Sequence, residues 1–304
     1  MLFALLAVGL FSVSAVTATR AARSLGGTEA NFWRLCVATS LLAVYAHGWG
    51  PGLSGPVFHT FIASGLLGFG LGDQALFQAL PRLGSRLAIM LVHCVAAPFA
   101  GLVEWLWMGV APGPWEIASA ALIIAGVVVA LSSRKEAQSR GDGFGIGIGF
   151  GVLAAIGQAS GAILSQRAFH DARAVGFQID GISAAYQRIL GGVVLTGLCL
   201  LWVMWKDHVT KSGVIASKPP SESKWRRVGP WVLINGVTGP ALGVSCYQWA
   251  LKTTPTAIVL AVVALTPLAI IPLSAAVEGE RPSARSIAGG VIAVAGVILL
   301  SRHR

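Results

Sequence analysis

The sequence predicts an all-α membrane protein with ten transmembrane helices, arranged as two inverted repeats of five helices each. Of the 304 residues, 55% are hydrophobic and only 11% are charged, and the mean hydropathy is +0.74. Apolar segments recur along the whole chain, and landmarks of the first half reappear in the second. Because hydrocarbon offers no water to backbone N–H and C=O groups, segments of this kind cross a membrane as helices.

Ten apolar segments are long enough to span a bilayer, at roughly 17 to 25 residues each. Most connections between them are short and marked by Pro, Gly or charge. Only 206–228 is long and polar, with Pro219, Pro220 and six basic residues, which predicts a mobile surface loop. The predicted spans are 2–19, 31–47, 58–80, 85–108, 114–132, 144–166, 183–205, 229–250, 255–277 and 284–301.

The two halves share landmarks at displacements of 169 to 171 residues, and Arg34 and Arg188 each open an apolar span. This predicts a first repeat over 1–133, a linker over 134–143 and a second repeat over 144–304. An odd number of spans per repeat places the two repeats in opposite orientations. The paired landmarks are Ala79-Leu80 with Ala250-Leu251, Pro98 with Pro267, Gly109 with Gly279, and Pro112 with Pro282.

These landmarks, together with Gly-Glu-Arg-Pro at 279–282 and the Ala-Gly-Val motifs within 123–131 and 293–301, resemble the EamA-like transporters of the drug/metabolite transporter superfamily. The resemblance covers nearly the whole chain and implies two repeats of five spans in a plasma (inner) membrane protein. It also implies secondary transport, since similar proteins export amino acids or move diverse metabolites. The first half has Val110 where the second has Glu280, so Glu280 is expected to fix a loop end.

An acid stands inside the otherwise apolar stretch 63–98, which supplies the first site hypothesis. Asp73 lies about two turns before a turn predicted at Pro81, and Arg86 lies one to two turns after it. A carboxylate at the bilayer centre costs about 2.5–3.5 kcal/mol on insertion scales, so Asp73 needs a partner, water or a function. We therefore expect an Asp73–Arg86 ion pair, with a purely structural pair as the alternative to a role in transport.

The second half supports this pairing, because it lacks both partners. Val244 stands near the position that corresponds to Asp73, and Ala257 near the position that corresponds to Arg86. An acid and a base that are absent together are expected to interact where both are present.

The fourth span carries Arg86, His93 and Glu104 at spacings of 7 and 11 residues, which put all three on one helix face. Gln74 and Gln78 share a face next to Asp73. These residues predict a polar cavity, with a helix interface joined by side-chain hydrogen bonds as the alternative. The predicted cavity residues are Asp73, Gln74, Gln78, Arg86, His93, Glu104, Gln158, Tyr186, Tyr247 and Gln248.

Other features favour structural interpretations. Arg34 and Arg188 lie near predicted span ends, where snorkelling to the interface is the expected behaviour. The glycines between 141 and 151 lack the ending of a phosphate loop and instead form small-residue pairs, Gly145/Gly149 and Gly147/Gly151, as Gly68/Gly72 do. The four cysteines stand singly, so neither a metal site nor a disulfide framework is expected.

The leading functional hypothesis is a secondary transporter, with efflux of an amino acid-like or drug-like metabolite by alternating access. Asp73, with Glu104 as second choice, is the candidate for proton coupling, and the two charge signs would suit a zwitterion. Expected partners are a small-molecule substrate and the lipid bilayer. We expect no nucleic acid and no cofactor, while the oligomeric state is open. The alternatives are a membrane-embedded lipid-processing enzyme, for which no motif is found, and a non-transporting scaffold.

The net charge of +10 is spread over loops, where Lys and Arg orient a membrane protein. One set of loops holds fifteen of these residues and the other five. That asymmetry places the termini away from the cytoplasm, whereas similar transporters keep both termini inside. The orientation of the termini stays open on the sequence alone.

Overall fold

All regular structure is helical in the computed structural model, which describes residues 2–108, 111, 113–132, 143–210, 222–254 and 256–302. Twelve α-helices and two π-helices lie in these ranges. They are α1 Leu2–Leu25, α2 Gly27–Gly48, α3 Phe58–Gly65, the first π-helix Leu66–Gly72, α4 Asp73–Met108, α5 Pro114–Leu131, α6 Phe144–Ala174, α7 Gly181–Thr210, α8 Glu222–Gly236, the second π-helix Val237–Gly243, α9 Val244–Thr253, α10 Thr256–Val263, α11 Thr266–Glu278 and α12 Ala284–Arg302.

Each predicted span falls on helical structure within the described ranges. Among the residues that the structure describes, seven helical stretches are long and apolar enough to cross a membrane, which makes the chain a multi-pass membrane protein. One of these stretches, 58–103, contains two of the predicted spans. Helix α2 and the segment from α8 to α9 are not among the seven. The number ten therefore stays a prediction.

The turn expected at Pro81 lies instead at Gly84. Helix α4 continues through Pro81, and Gly84 adopts φ 75° and ψ 169°, which no helix allows. Only glycine enters this region without a steric penalty, so the position of the glycine decides where the chain reverses. Helix α4 thus consists of two segments, 73–83 and 85–108.

The loop predicted over 206–228 is shorter than expected. Helix α7 runs to Thr210 and α8 begins at Glu222, while 211–221 and 133–142, which holds most of the predicted linker, lie outside the described residues. Trp225 packs edge-on against Trp33 with ring centroids 5.5 Å apart, and Val228 is buried. These contacts give the start of α8 an apolar face to bury, which the polar composition of the segment obscures.

Glycines bring several helices into backbone contact. A Cβ on Gly157 of α6 would stand 2.8 Å from the Leu67 carbonyl oxygen and against the Gly72 backbone. The expected packing of Gly147/Gly151 is confirmed, since both face α4 side chains, whereas Gly145/Gly149 faces open space and that expectation is wrong. Close approach therefore lies on the side of α6 that meets α3, the first π-helix and α4.

The helices run back and forth between the two ends of the bundle, and side-chain contacts between the halves of the chain occur at both ends. At the first end, Arg23 in the last turn of α1 lies 3.5 Å from Glu278 in the last turn of α11. At the second end, Gln187 near the start of α7 donates to the Gly52 carbonyl oxygen, between α2 and α3, at 3.0 Å. Each end therefore joins the first half of the chain to the second.

The glycine contacts yield a matched pair of substitutions on one helix. Gly157→Ala and Gly149→Ala gain the same helix propensity, but only the first places a methyl group against backbone. We expect Gly157→Ala to lower the free energy of unfolding by about 1–3 kcal/mol, the usual cost of overpacking. Gly149→Ala should leave it equal or higher. Thermal unfolding of the purified protein in detergent measures both, and equal midpoints would contradict the packing.

Candidate functional site

A cavity of about 90 Å³ lies inside the bundle, enclosed by helices from both halves. This is several times the roughly 10–15 Å³ that a cavity needs to hold one water, so a small organic solute has room in it. Its wall is mostly apolar, with a few charged and polar groups. The lining residues are Phe11, Ser14, Ala15, Ala18, Arg34, Phe69, Asp73, Leu76, Phe77, Leu80, Ile89, Val92, His93, Ala96, Gln158, Ala159, Arg188, Gly239, Pro240, Val244, Tyr247, Leu260 and Val263.

The centre of the cavity wall is an ion pair between Arg34 of α2 and Asp73 of α4. Both residues are buried, at 5% and 4% exposure. Gln158 of α6 donates to the second Asp73 oxygen at 2.6 Å, and Asn31 accepts from Arg34 Nε at 2.9 Å. The Arg34 guanidinium also lies 4.4 Å from the Phe77 ring centroid. The pair is thus hydrogen-bonded on both sides, which a buried pair needs to offset desolvation.

The expected Asp73–Arg86 pair is wrong. Arg86 instead donates to Ser286 Oγ at 2.9 Å and lies 4.0 Å from Glu280. Asp73 precedes the turn at Gly84 by 11 residues, about 16 Å of helix, whereas Arg86 follows that turn by two. The two side chains therefore lie at different depths, and Arg86 belongs to the first end of the bundle.

Four of the predicted site residues line the cavity: Asp73, His93, Gln158 and Tyr247. His93 stacks on Phe11 with ring centroids 6.1 Å apart. The fourth span thus contributes His93 to the cavity, as expected. The side chain of Glu104 lies outside the described residues.

The remaining predicted residues point to other neighbours. Gln74 and Gln78 both donate to Thr28 Oγ1. Tyr186 bonds His47 at 3.0 Å and Gln248 donates to Ser165 Oγ at 3.2 Å. These bonds join helices beside the cavity and match the alternative interpretation of a polar helix interface.

Arg34 and Arg188 were expected to snorkel, and for both that expectation is wrong. They are 5% and 2% exposed and line the cavity. Helices α2 and α7 begin at residues 27 and 181, so each arginine is the eighth residue of its helix, two turns inside. Their equal position within the two helices, together with the repeat predicted from the sequence, is the signal that could have identified the two arginines as equivalent residues.

The two π-helices mark equivalent positions in the two halves. The second begins and ends 171 residues after the first, 237 against 66 and 243 against 72. Asp73 follows the first π-helix, and Val244 follows the second. The second half therefore has Arg188, the equivalent of Arg34, but no acid at the Asp73 position. The joint absence of counterparts to Asp73 and Arg86 thus did not indicate a pair, because Asp73 binds Arg34.

Each arginine lies against the π-helix of the other half. A Cβ on Gly239 would stand 3.4 Å from Arg34 Nη1, and a Cβ on Gly68 would meet the Arg188 guanidinium. Arg188 also lies 5.1 Å from the Phe69 ring centroid. Its Nε has no hydrogen-bond partner, and no salt bridge joins it to any residue that the structure describes.

Comparison with known proteins agrees with the geometry. A sequence model of the EamA-like transporter family matches residues 1–132 and 145–302. A protein of known crystal structure is 20% identical, with a TM-score of 0.61 over 99% of this chain and 97% of that chain, which shows a shared fold. No match is found among curated proteins.

The two equivalent arginines should respond differently to the same substitution. Arg34→Gln leaves the Asp73 carboxylate without its buried cation, so we expect a loss of about 3–5 kcal/mol of stability. Arg188→Gln removes a cation that has no ion-pair partner among the described residues and should leave the unfolding temperature unchanged or higher. Thermal unfolding of both variants in one detergent checks this, and equal losses would contradict the assigned pairing.

Proposed function

Because the chain belongs to the EamA-like transporter family, we propose that it is a secondary transporter that exports a small metabolite across the plasma membrane by alternating access. Members of the family are transporters and not enzymes, and we propose the same for this chain. The observation that carries the proposal is the charged cavity enclosed by helices from both halves. With no nucleotide-binding motif in the sequence, an ion or substrate gradient would supply the energy.

We further propose ten spans, organised as two inverted five-helix repeats over 1–133 and 144–304 with a linker over 134–143. The equal displacement of the two π-helices and the equal register of Arg34 and Arg188 support this arrangement. The separate matches of the family model to 1–132 and 145–302 support it as well. Transporters of this kind place the substrate site between the repeats, where this cavity lies.

Alternating access requires that contacts between the halves open at one end while they hold at the other. At the first end Arg86 binds Ser286, and at the second end Gln187 binds the Gly52 carbonyl. Both bonds join the first half to the second, so rotation of one half against the other would break one set and preserve the other. The cavity would then face each side in turn.

Cysteine accessibility tests this proposal without knowledge of the substrate. In a background that lacks the four native cysteines, Ala96→Cys introduces a thiol in the cavity wall. We expect a membrane-impermeant maleimide to modify it from either side, in right-side-out and in inverted vesicles. Ala130→Cys, buried between α5 and α12, is the control and should react from neither side. Access from one side only would favour a scaffold and contradict the proposal.

We propose Asp73 as the proton-coupling residue, with Glu104 as the second candidate. Protonation would remove the charge of Asp73 and release Arg34, so proton binding would change the charge of the cavity. In proteoliposomes exposed to a pool of small metabolites, an imposed pH gradient should drive solute movement in the wild type. Asp73→Asn should abolish that response, whereas Asp171→Asn, which removes the exposed Arg167 ion pair, should not. An unchanged response in well-expressed Asp73→Asn protein would exclude the coupling role.

A further inference from the structure

The charged groups of the cavity wall do not balance. Arg34 and Asp73 neutralise each other as a hydrogen-bonded pair. Arg188 adds a second guanidinium, which stays protonated in proteins, and the equivalent of Asp73 in its own half is Val244. The ionised side chains that line the cavity therefore leave one positive charge, buried among apolar groups.

Arg188 is arranged as a binding group. It is 2% exposed, lines the cavity and has an unpaired Nε. Gly68 and Gly161 leave space for the guanidinium, since a Cβ on Gly161 would stand 2.7 Å from Arg188 Nη2. The Phe69 ring covers it at 5.1 Å. Packing thus fixes the side chain, while its Nε lacks the acceptor that a buried guanidinium donor requires.

We propose that the transported solute is a small monocarboxylate that binds the Arg188 guanidinium in this cavity, a proposal that rests on the transport function above. A guanidinium presents parallel N–H donors that match the two oxygens of a carboxylate. One negative charge on the solute neutralises the one uncompensated positive charge. The cavity of about 90 Å³ has room for a small solute, and its mostly apolar wall suits a short carbon chain.

Both oxygens of Asp73 already accept hydrogen bonds, which argues against a zwitterionic solute. The presence of both charge signs among the predicted site residues had suggested such a solute. An ammonium group would need a free carboxylate in the cavity wall. Asp73 already accepts from Arg34 on one oxygen and from Gln158 on the other. Among the described lining residues, Asp73 is the single acid, so the site favours a solute with negative charge alone.

Calorimetric titration of the purified full-length protein in detergent tests the proposal. The probes are acetate, pyruvate and L-lactate, each compared with its neutral amide at constant ionic strength. We expect at least one anion to bind about tenfold or more tightly than its amide, the range of one charge-assisted hydrogen bond. Arg188→Gln should remove this preference. Arg188→Lys keeps the positive charge but loses the paired N–H donors of the guanidinium, so it should retain part of the preference for the anion.

Arg167→Gln is the matched control, since the Arg167 side chain is 70% exposed and outside the cavity, and it should bind like the wild type. The inference is overturned if no anion binds more tightly than its amide, or if folded Arg188→Gln protein binds anions like the wild type. Anion binding that depends on Arg188, in a protein whose cavity opens to one side only, would support a carboxylate site at Arg188 and contradict the proposed transport. The two proposals therefore fail separately.

Discussion

A buried carboxylate needs a cation and hydrogen-bond donors within reach, and much of the architecture here follows from that need. Asp73 lies among apolar helices, where an unpaired charge would be costly. Arg34 and Gln158, from two different helices, meet its two oxygens. Three elements that are distant in sequence are thereby fixed against one another, and the cavity lies beside their meeting point.

Small residues make this meeting possible. Gly72 precedes Asp73, Gly157 precedes Gln158, and the two glycines are in backbone contact. Only at that separation do a short carboxylate and an amide side chain bond directly. In a membrane, apolar surface gains little from contact between helices, so close packing and interhelical hydrogen bonds carry more of the association. The glycines and the polar side chains act here as one unit.

The sequence predicted the all-helical structure and the buried acid, because hydropathy records them directly. It misplaced the partner of Asp73, since the outcome depended on whether the chain turned at Pro81 or at Gly84. Moving the turn by three residues lengthens one arm and shortens the other, which changes the relative depth of the two side chains by about 9 Å and moves the arginine out of reach.

A boundary error also explains Arg34. The predicted span start at 31 placed it near the membrane interface, whereas its helix begins at 27. Polar residues at a helix start, such as Thr28 and Glu29, lower the local hydropathy without ending the helix. Inspection of apolar runs therefore truncates such helices, and it cannot reveal which neighbouring helix an inward-facing arginine will meet.

Val244 at the position equivalent to Asp73 has a consequence for symmetry. Two identical subunits related by a two-fold axis can carry fixed charges only in even numbers, so their shared chamber has an even total. A single polypeptide whose two halves differ in sequence can carry an odd number of charges in the chamber. With two arginines and one acid, the cavity wall of this chain carries an odd total, which a symmetric homodimer of either half could not have.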